Sequence, residues 1–365
     1  MPRIRILFDL KKQYYFSSFV SILKALSTRP DVATAFHVGS DSERKWGIVP
    51  VSRKRRIEGR LREQGFQVVE SPGGFDAVVG GDALSNPGRF GDVPLFVSDH
   101  GPGTKTLRFR NIARCSERRH TVFVEGRYWM ETIRKFGFED AAEWKMTGVP
   151  KLDPFFWRGY YDRGKILRSL GLDPAKKTVL FAPSYRPSCI PFIKDKVAAL
   201  APASNVLIKL HPYSWGGKYA PARQSRRYVR LAARNHAVTL VPREHFDIHP
   251  LVFAADTVIS DTSSALALCL AVGRVGVVAD FPYPKLRHSD GMPLLSEPPG
   301  EYLKDIFVHF GDPHLLADAV QRALNPGREH LRRLMEYRDY YFTGLDGRSG
   351  ERAAEIILEG TGRSE

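Results

Sequence analysis

Thr257-Val258-Ile259-Ser260-Asp261-Thr262-Ser263-Ser264-Ala265-Leu266-Ala267-Leu268 is the stretch whose reading decides the fold. An apolar, β-branched run halts at an acid and three hydroxyl residues, and a helical apolar stretch follows to Ala271. Strand, polar turn and helix in that order form the repeating unit of a parallel α/β sheet. The pattern recurs on either side. Thr178–Phe181 runs into Ala182-Pro183-Ser184, Asn205–Leu210 stops at His211-Pro212, and Val238–Val241 and Val275–Ala279 are further strands. Beyond them, Pro313–Leu324, Glu329–Tyr341 and Gly350–Leu358 read as helices.

The N-terminal part repeats the scheme. Ile4–Phe8 is a strand, and Phe19, Ile22, Leu23 and Leu26 give helical spacing to Tyr14–Thr28. Val32–Val38 completes a β-α-β opening. Phe66–Val69, Ala77–Val79, Leu95–Val97 and Thr121–Val124 are weaker strands, and Arg127–Phe136 is helical. A Pro/Gly/aromatic junction, Gly148–Tyr161, separates the two series. The expected architecture is α/β: two Rossmann-like, doubly wound domains facing across a cleft. They span residues 1–155 and 156–345, and a C-terminal helix in 346–365 packs back on the first.

Composition narrows the function. The chain has 365 residues, 43% hydrophobic and 26% charged, a globular balance. Its apolar runs fall short of the ~20 residues of a membrane span, and the N-terminus lacks the features of a signal peptide. Three widely spaced cysteines (Cys115, Cys189, Cys269) fit a reducing compartment. The net charge of +15 attracts polyanions. Residues 1–160 hold 27 of the 55 Lys+Arg and 18 of the 40 Asp+Glu, leaving 28 and 22 for the remainder; the net charges are +9 and +6. The densest basic run is Arg53-Lys54-Arg55-Arg56, continuing through Arg60 and Arg62.

Four strand ends carry candidate chemistry, since ligands of open α/β sheets bind beyond the carboxyl ends of the strands. His100 leaves a strand into Gly101-Pro102-Gly103-Thr104-Lys105, a place suited to a general base. Lys151, in Gly148-Val149-Pro150-Lys151-Leu152-Asp153, has the reach to meet a phosphate. His211 can donate to an anion. Asp261, Thr262, Ser263 and Ser264 exceed what one helix cap requires and suit a phosphate. For His100 and Lys151 the plainer explanations are loop hydrogen bonding and a surface lysine. Signatures of P-loop nucleotidases, zinc proteases and nucleophile-elbow hydrolases are absent. His245 and His249 stand four apart, but Pro250 follows and no third ligand is near, so no metal site is expected.

Together these segments resemble the CDP-glycerol glycerophosphotransferase family, which primes and polymerises teichoic acids. The family's motifs occur here in order: His100-Gly101…Lys105, then Gly148-Val149-Pro150-Lys151-Leu152-Asp153, then Ala182-Pro183-Ser184-Tyr185-Arg186. Lys209-Leu210-His211-Pro212, Asp261-Thr262-Ser263-Ser264 and Asp346-Gly347-Arg348-Ser349-Gly350-Glu351-Arg352 follow. Lys151 replaces the family's usual arginine, Thr262 its usual tyrosine, and the first ~90 residues match no motif.

The resemblance implies a GT-B fold and transfer of glycerol phosphate, or a similar polyol phosphate, from a CDP-activated donor to a hydroxyl of a lipid-linked glycan acceptor, releasing CMP. It implies catalytic roles for His100 (as base), Lys151 and His211. Lys105, Ser184, Arg186, Lys209, Asp261, Thr262, Ser263 and Ser264 would hold the donor. No cofactor or metal is expected. The basic patch Arg53, Lys54, Arg55 and Arg56 is expected to meet an anionic membrane. That places the enzyme in the cytoplasm, peripheral on the inner face of the membrane, with no nucleic-acid partner. The alternatives are a GT-B glycosyltransferase or epimerase using a nucleotide sugar and, in another class, a basic nucleic-acid-binding protein.

Overall fold

The computed structural model describes residues 4–39, 42–45, 49–52, 54–84, 86–99, 101–102, 105–115, 118–216, 224–245, 247–261, 263–283, 286–298 and 300–362. The chain divides into two compact units. One comprises Met1–Pro102, Leu107–Trp157 and Asp339–Glu365; the other comprises Gly103–Thr106 and Arg158–Arg338.

The first unit holds β1 (Ile4–Leu10), α1 (Val20–Leu26), β2 (Val32–Val38), a hairpin of β3 (Ser42–Lys45) and β4 (Val49–Ser52), and α2 (Lys54–Glu63). Next come β5 (Val68–Val69), β6 (Ala77–Gly80), β7 (Leu95–Val97), α3 (Leu107–Arg114), β8 (Thr121–Val124), α4 (Arg127–Lys135) and β9 (Glu143–Met146). Its sheet runs β5-β2-β1-β6-β7-β8-β9, with every pairing parallel. Alternation along β1 fills both faces, as a covered parallel sheet requires. Ile4, Ile6, Phe8 and Leu10 pack with Phe19, Ile22, Leu26 and Phe36. Leu7 points the other way, to Ala35, Val78, Leu84 and Leu95. At about 1.5–3 kcal/mol for each large buried apolar side chain, these two faces dominate the unit's stability.

The second unit holds α5 (Arg163–Ser169), β10 (Thr178–Phe181), α6 (Ile190–Ile193), β11 (Asn205–Ile208), α7 (Gln224–Arg234), β12 (Val238–Leu240) and α8 (His249–Ala254). It continues with β13 (Thr257–Ser260), α9 (Ala265–Ala271), β14 (Val277–Ala279), β15 (Val308–Phe310) and α10 (Leu316–Leu324). The sheet order is β12-β11-β10-β13-β14-β15, again parallel. Helix α11 (Arg328–Tyr341) leads the chain back to the first unit, where α12 (Ser349–Gly360) ends the fold.

Local differences from the sequence reading have physical causes. The single helix expected over Tyr14–Thr28 is a 3-10 helix, Gln13–Ser18, followed by α1. Its aromatic run packs as a tight turn, with Phe16 ringed by Phe36 and Phe66 at 5.8 and 5.6 Å. The basic run proves to be the amphipathic helix α2, whose Ile57 and Leu61, four apart, are buried.

Candidate phosphate-binding site

The second sheet grows from β10 outward to β11 and β12 on one side, then restarts at β13 on the other. That reversal is the topological switch point, where ligands of open α/β sheets bind. The loops leaving β10, β11 and β13 carry three of the expected motifs, and their central strands are neighbours. The sheet order therefore gathers Ser184–Arg186, Lys209–His211, Asp261, Ser263 and Ser264 at one edge.

Asp261 organises this edge. It is 3% exposed, and its two carboxylate oxygens accept the backbone N–H groups of Ser184 at 2.9 Å and Cys189 at 2.8 Å. The Ser184 hydroxyl, itself buried, donates to the carbonyl of Pro187. Both side chains therefore shape the 184–189 loop. Arg186 is exposed and bonds no described residue.

Lys209 follows β11 at 5% exposure and forms no ion pair with a described residue. Burial lowers its pKa to about 8, against a smaller upward pull from Asp247 and Glu244. A buried ammonium is costly unless an anion joins it. Two residues on, His211 Nδ1 accepts the backbone N–H of Tyr213 at 3.1 Å. In neutral imidazole that leaves Nε2 as the protonated nitrogen, a donor for an anion. Tyr185 lies 4.7 Å from the His211 ring and 5.1 Å from that of Tyr213. These tyrosines hold the imidazole, a role the sequence reading missed. For Tyr185, its place between Ser184 and Arg186 and its aromatic character are the available signal.

Lys105 belongs with this group although some fifty residues of sequence separate it from the rest of the second unit. Its neighbour Thr106 donates its backbone N–H to Leu294 at 3.1 Å and its hydroxyl to the carbonyl of Pro293 at 2.6 Å. The segment is thereby tied to the second unit, with Lys105 bridged to Leu295. The Lys105 ammonium sits 5.7 Å from the Tyr185 ring. Burial lowers its pKa and the Asp261 carboxylate opposes the change. Ser263 Oγ accepts the N–H of Ala265 at 3.3 Å, and Ser264 is half-buried beside it. Lys105, Lys209, His211, Ser263 and Ser264 thus offer cationic and neutral donors on the second unit, a set suited to a diphosphate.

His100, Thr262 and Arg53 lie outside the described residues. Beside His100, Asp99 meets Arg108 at 3.5 Å, and Arg108 pairs bidentately with Glu125. Lys151 is half-buried in the 3-10 helix Pro150–Phe155 of the first unit. Its motif partner Asp153 serves the fold. The carboxylate accepts the N–H groups of Ser349 and Gly350 and the hydroxyl of Ser21. Arg352 donates to the Thr147 carbonyl at 2.8 Å. At Gly350 a Cβ would collide with Ser21, and at Gly148, where φ is 80°, with the Thr343 carbonyl. Two motifs that read as separate in sequence form one latch.

On α2, Lys54 pairs with Glu58 at 3.7 Å, while Arg55 and Arg56 are exposed and pair with no described residue. Among the described residues no three His, Cys, Asp or Glu side chains converge as a metal site, and no helix is long and apolar enough to cross a membrane.

Known structures share this fold. The wall teichoic acid polymerase TagF matches at a TM-score of 0.66 with 15% identity, over 99% of this chain and 90% of that one. A TagF variant soaked with CDPG gives 0.67 and 16%, over 99% and 89%. The putative UDP-N-acetylglucosamine 2-epimerase of Listeria monocytogenes gives 0.66 and 12%, over 100% and 98%. These likenesses establish a GT-B fold. No curated protein sequence matches the chain. The family model described as CDP-Glycerol:Poly(glycerophosphate) glycerophosphotransferase matches residues 101–359, taking in all six ordered motifs save His100 itself. The chain belongs to the CDP-glycerol:poly(glycerophosphate) glycerophosphotransferase family, and is an enzyme of that kind.

Proposed function

We propose that the enzyme transfers glycerol phosphate from CDP-glycerol to a terminal hydroxyl of a lipid-linked, teichoic-acid-type acceptor and releases CMP. The family membership sets the reaction class. The observation that carries the donor assignment is the grouping of Lys105, Lys209 and His211 around the switch point of the second sheet. In this reading the acceptor oxygen attacks the phosphorus that bears glycerol, and its proton passes to His100. The bond from that phosphorus to the bridging oxygen breaks, and CMP leaves with the oxygen. Catalysis of such a transfer is positioning plus stabilisation of spread negative charge. Lys209 and His211 stabilise the charge that builds on the phosphate oxygens of the leaving CMP, Lys105, Ser263 and Ser264 hold the donor, and Lys151 neutralises the transferred phosphate. No metal takes part. The basic face of α2 rests on an anionic membrane surface at the cytoplasmic side, where the acceptor resides.

Thermal-shift titration with CDP, UDP and GDP tests the donor. CDP should raise the melting temperature most, because a ligand that binds only the folded state stabilises by mass action. Preference for UDP would instead favour a nucleotide-sugar enzyme, the reading encouraged by the likeness to the 2-epimerase of Listeria monocytogenes.

A further inference from the structure

Lys105 joins the donor group on a short stretch, residues 103–106, that stands apart in sequence from the 158–338 of the second unit. Its hold on that unit is the segment Leu286–Leu295, which carries none of the donor residues and folds back on itself. Leu294 donates its N–H to Leu286 at 2.7 Å, and His288 donates to Met292 at 2.9 Å. Gly291, at φ 82°, makes the turn between the two arms. Lys105 and Thr106 add to the Pro293–Leu295 arm. Lys105 bridges Leu295, and the Thr106 N–H donates to Leu294 at 3.1 Å.

The Thr106 side chain closes this clasp. It is fully buried, and its hydroxyl has one proton to give. The carbonyl of Pro293 lies 2.6 Å from Oγ and that of Leu294 at 3.4 Å, and a carbonyl can only accept. The proton therefore goes to Pro293, the nearer of the two. His288 Nε2, 3.1 Å from the same Oγ, is then the donor to it. An Nε2–H is present in one neutral tautomer and in the protonated ring alike, so the contact does not depend on the charge of His288. The backbone bonds would form with most residues at position 106, whereas the hydroxyl contacts need threonine or serine.

We propose that Thr106 and His288 are positioning residues for the donor: their hydrogen bond, closed onto Pro293, holds Lys105 beside Tyr185, where the ammonium serves the donor's phosphates. They act through Lys105. A lysine side chain gives up much rotamer freedom when it grips an anion, and a backbone anchored beforehand reduces the ordering left to do on binding. The Lys105 ammonium, 5.7 Å from the Tyr185 ring, is seated by a fixed neighbour on one side and an aromatic face on the other. The inference rests on the proposed donor role of Lys105, and its test separates the two.

CDP is titrated calorimetrically into the intact protein, Thr106→Val, Lys105→Met and the double variant. Thr106→Val keeps the shape and loses the hydroxyl; it should weaken CDP about tenfold, the usual worth of a buried hydrogen bond, and Lys105→Met at least as much. Losses from residues that act as one unit do not add, so the double variant should bind CDP as Lys105→Met does. Thr106→Ser and His288→Gln, which keep the hydroxyl and a side-chain donor, should stay near wild type, and His288→Leu should follow Thr106→Val. Wild-type binding by Thr106→Val while Lys105→Met is weakened, or additive losses in the double variant, overturns the positioning role. Wild-type binding by Lys105→Met instead rejects the donor reading of that lysine. Amide exchange over 105–106 and 286–295, read without nucleotide, tests the clasp by itself. It should quicken in Thr106→Val and not in Thr106→Ser, and unchanged exchange in Thr106→Val overturns the clasp.

Discussion

The carboxylate of Asp153 accepts the backbone N–H of Gly350 at 2.7 Å, across 197 positions of sequence. With the bonds from Ser349 and Ser21, it fixes the start of α12 against α1. Asp153→Ala leaves buried donors without an acceptor, at a cost of about 2–3 kcal/mol. The expected result is a lower melting temperature and faster proteolysis near residue 345, read by limited digestion. Wild-type stability would show that α12 is held by its apolar face alone.

Lys209 gives a prediction with two opposite signs. Its folded pKa of about 8 lies below the ordinary lysine value. The unfolded chain therefore holds this proton more tightly, and the group opposes folding at neutral pH. That penalty fades as pH rises from about 8 towards the unfolded value near 10.4. Lys209→Met should raise the melting temperature at pH 7 while weakening CDP binding. In the wild type CDP affinity should fall as pH climbs through about 8, and in Lys209→Met that pH dependence should disappear. Equal pH profiles in the two proteins would remove Lys209 from the donor site.

His211 is held by Tyr213 and Tyr185 with Nε2 as its donor. His211→Ala should lower kcat about 10²–10³-fold, the usual cost of one well-aimed donor. The KM for CDP-glycerol should change far less. A large KM change at constant kcat would make His211 a ground-state binding residue instead.

The proposed membrane contact is narrower than the basic run suggests, because Lys54 is engaged by Glu58. Within the patch 53–56, Arg55 and Arg56 are exposed among the described residues. At about 1 kcal/mol per basic residue near an anionic surface, Arg55→Ala/Arg56→Ala should sediment with anionic vesicles about thirtyfold more weakly. Unchanged sedimentation would remove α2 from the membrane contact.

Much of this was legible in sequence, for identifiable reasons. Both parallel sheets announce themselves as short apolar runs ending in polar turns, and β10, β11 and β13 lie where Thr178, Asn205 and Thr257 begin them. Roles within the motifs were less legible. Asp261 and Ser184 sit among ligand-like residues, yet their bonds go to the 184–189 loop, and only the folded register reveals that. Asp153, two residues from Lys151 in its motif, likewise bonds within the fold, to Ser349 and Gly350. Lys105 joins Tyr185 through a contact that spans 80 positions, which no local pattern encodes. The hairpin of β3 and β4 and the strand β15 leave no mark in the sequence pattern, being too short and too polar or isolated to show a period.

The most direct test of the central claim is a single reaction. Purified protein, CDP-glycerol and a lipid-linked acceptor ending in glycerol phosphate are combined in the presence of EDTA, and CMP and acceptor mass are read together. The account predicts CMP in equal amount to acceptor lengthened by one or more glycerol phosphate units, with UDP-N-acetylglucosamine left untouched. CMP without lengthened acceptor, or turnover of the nucleotide sugar in place of CDP-glycerol, would contradict it.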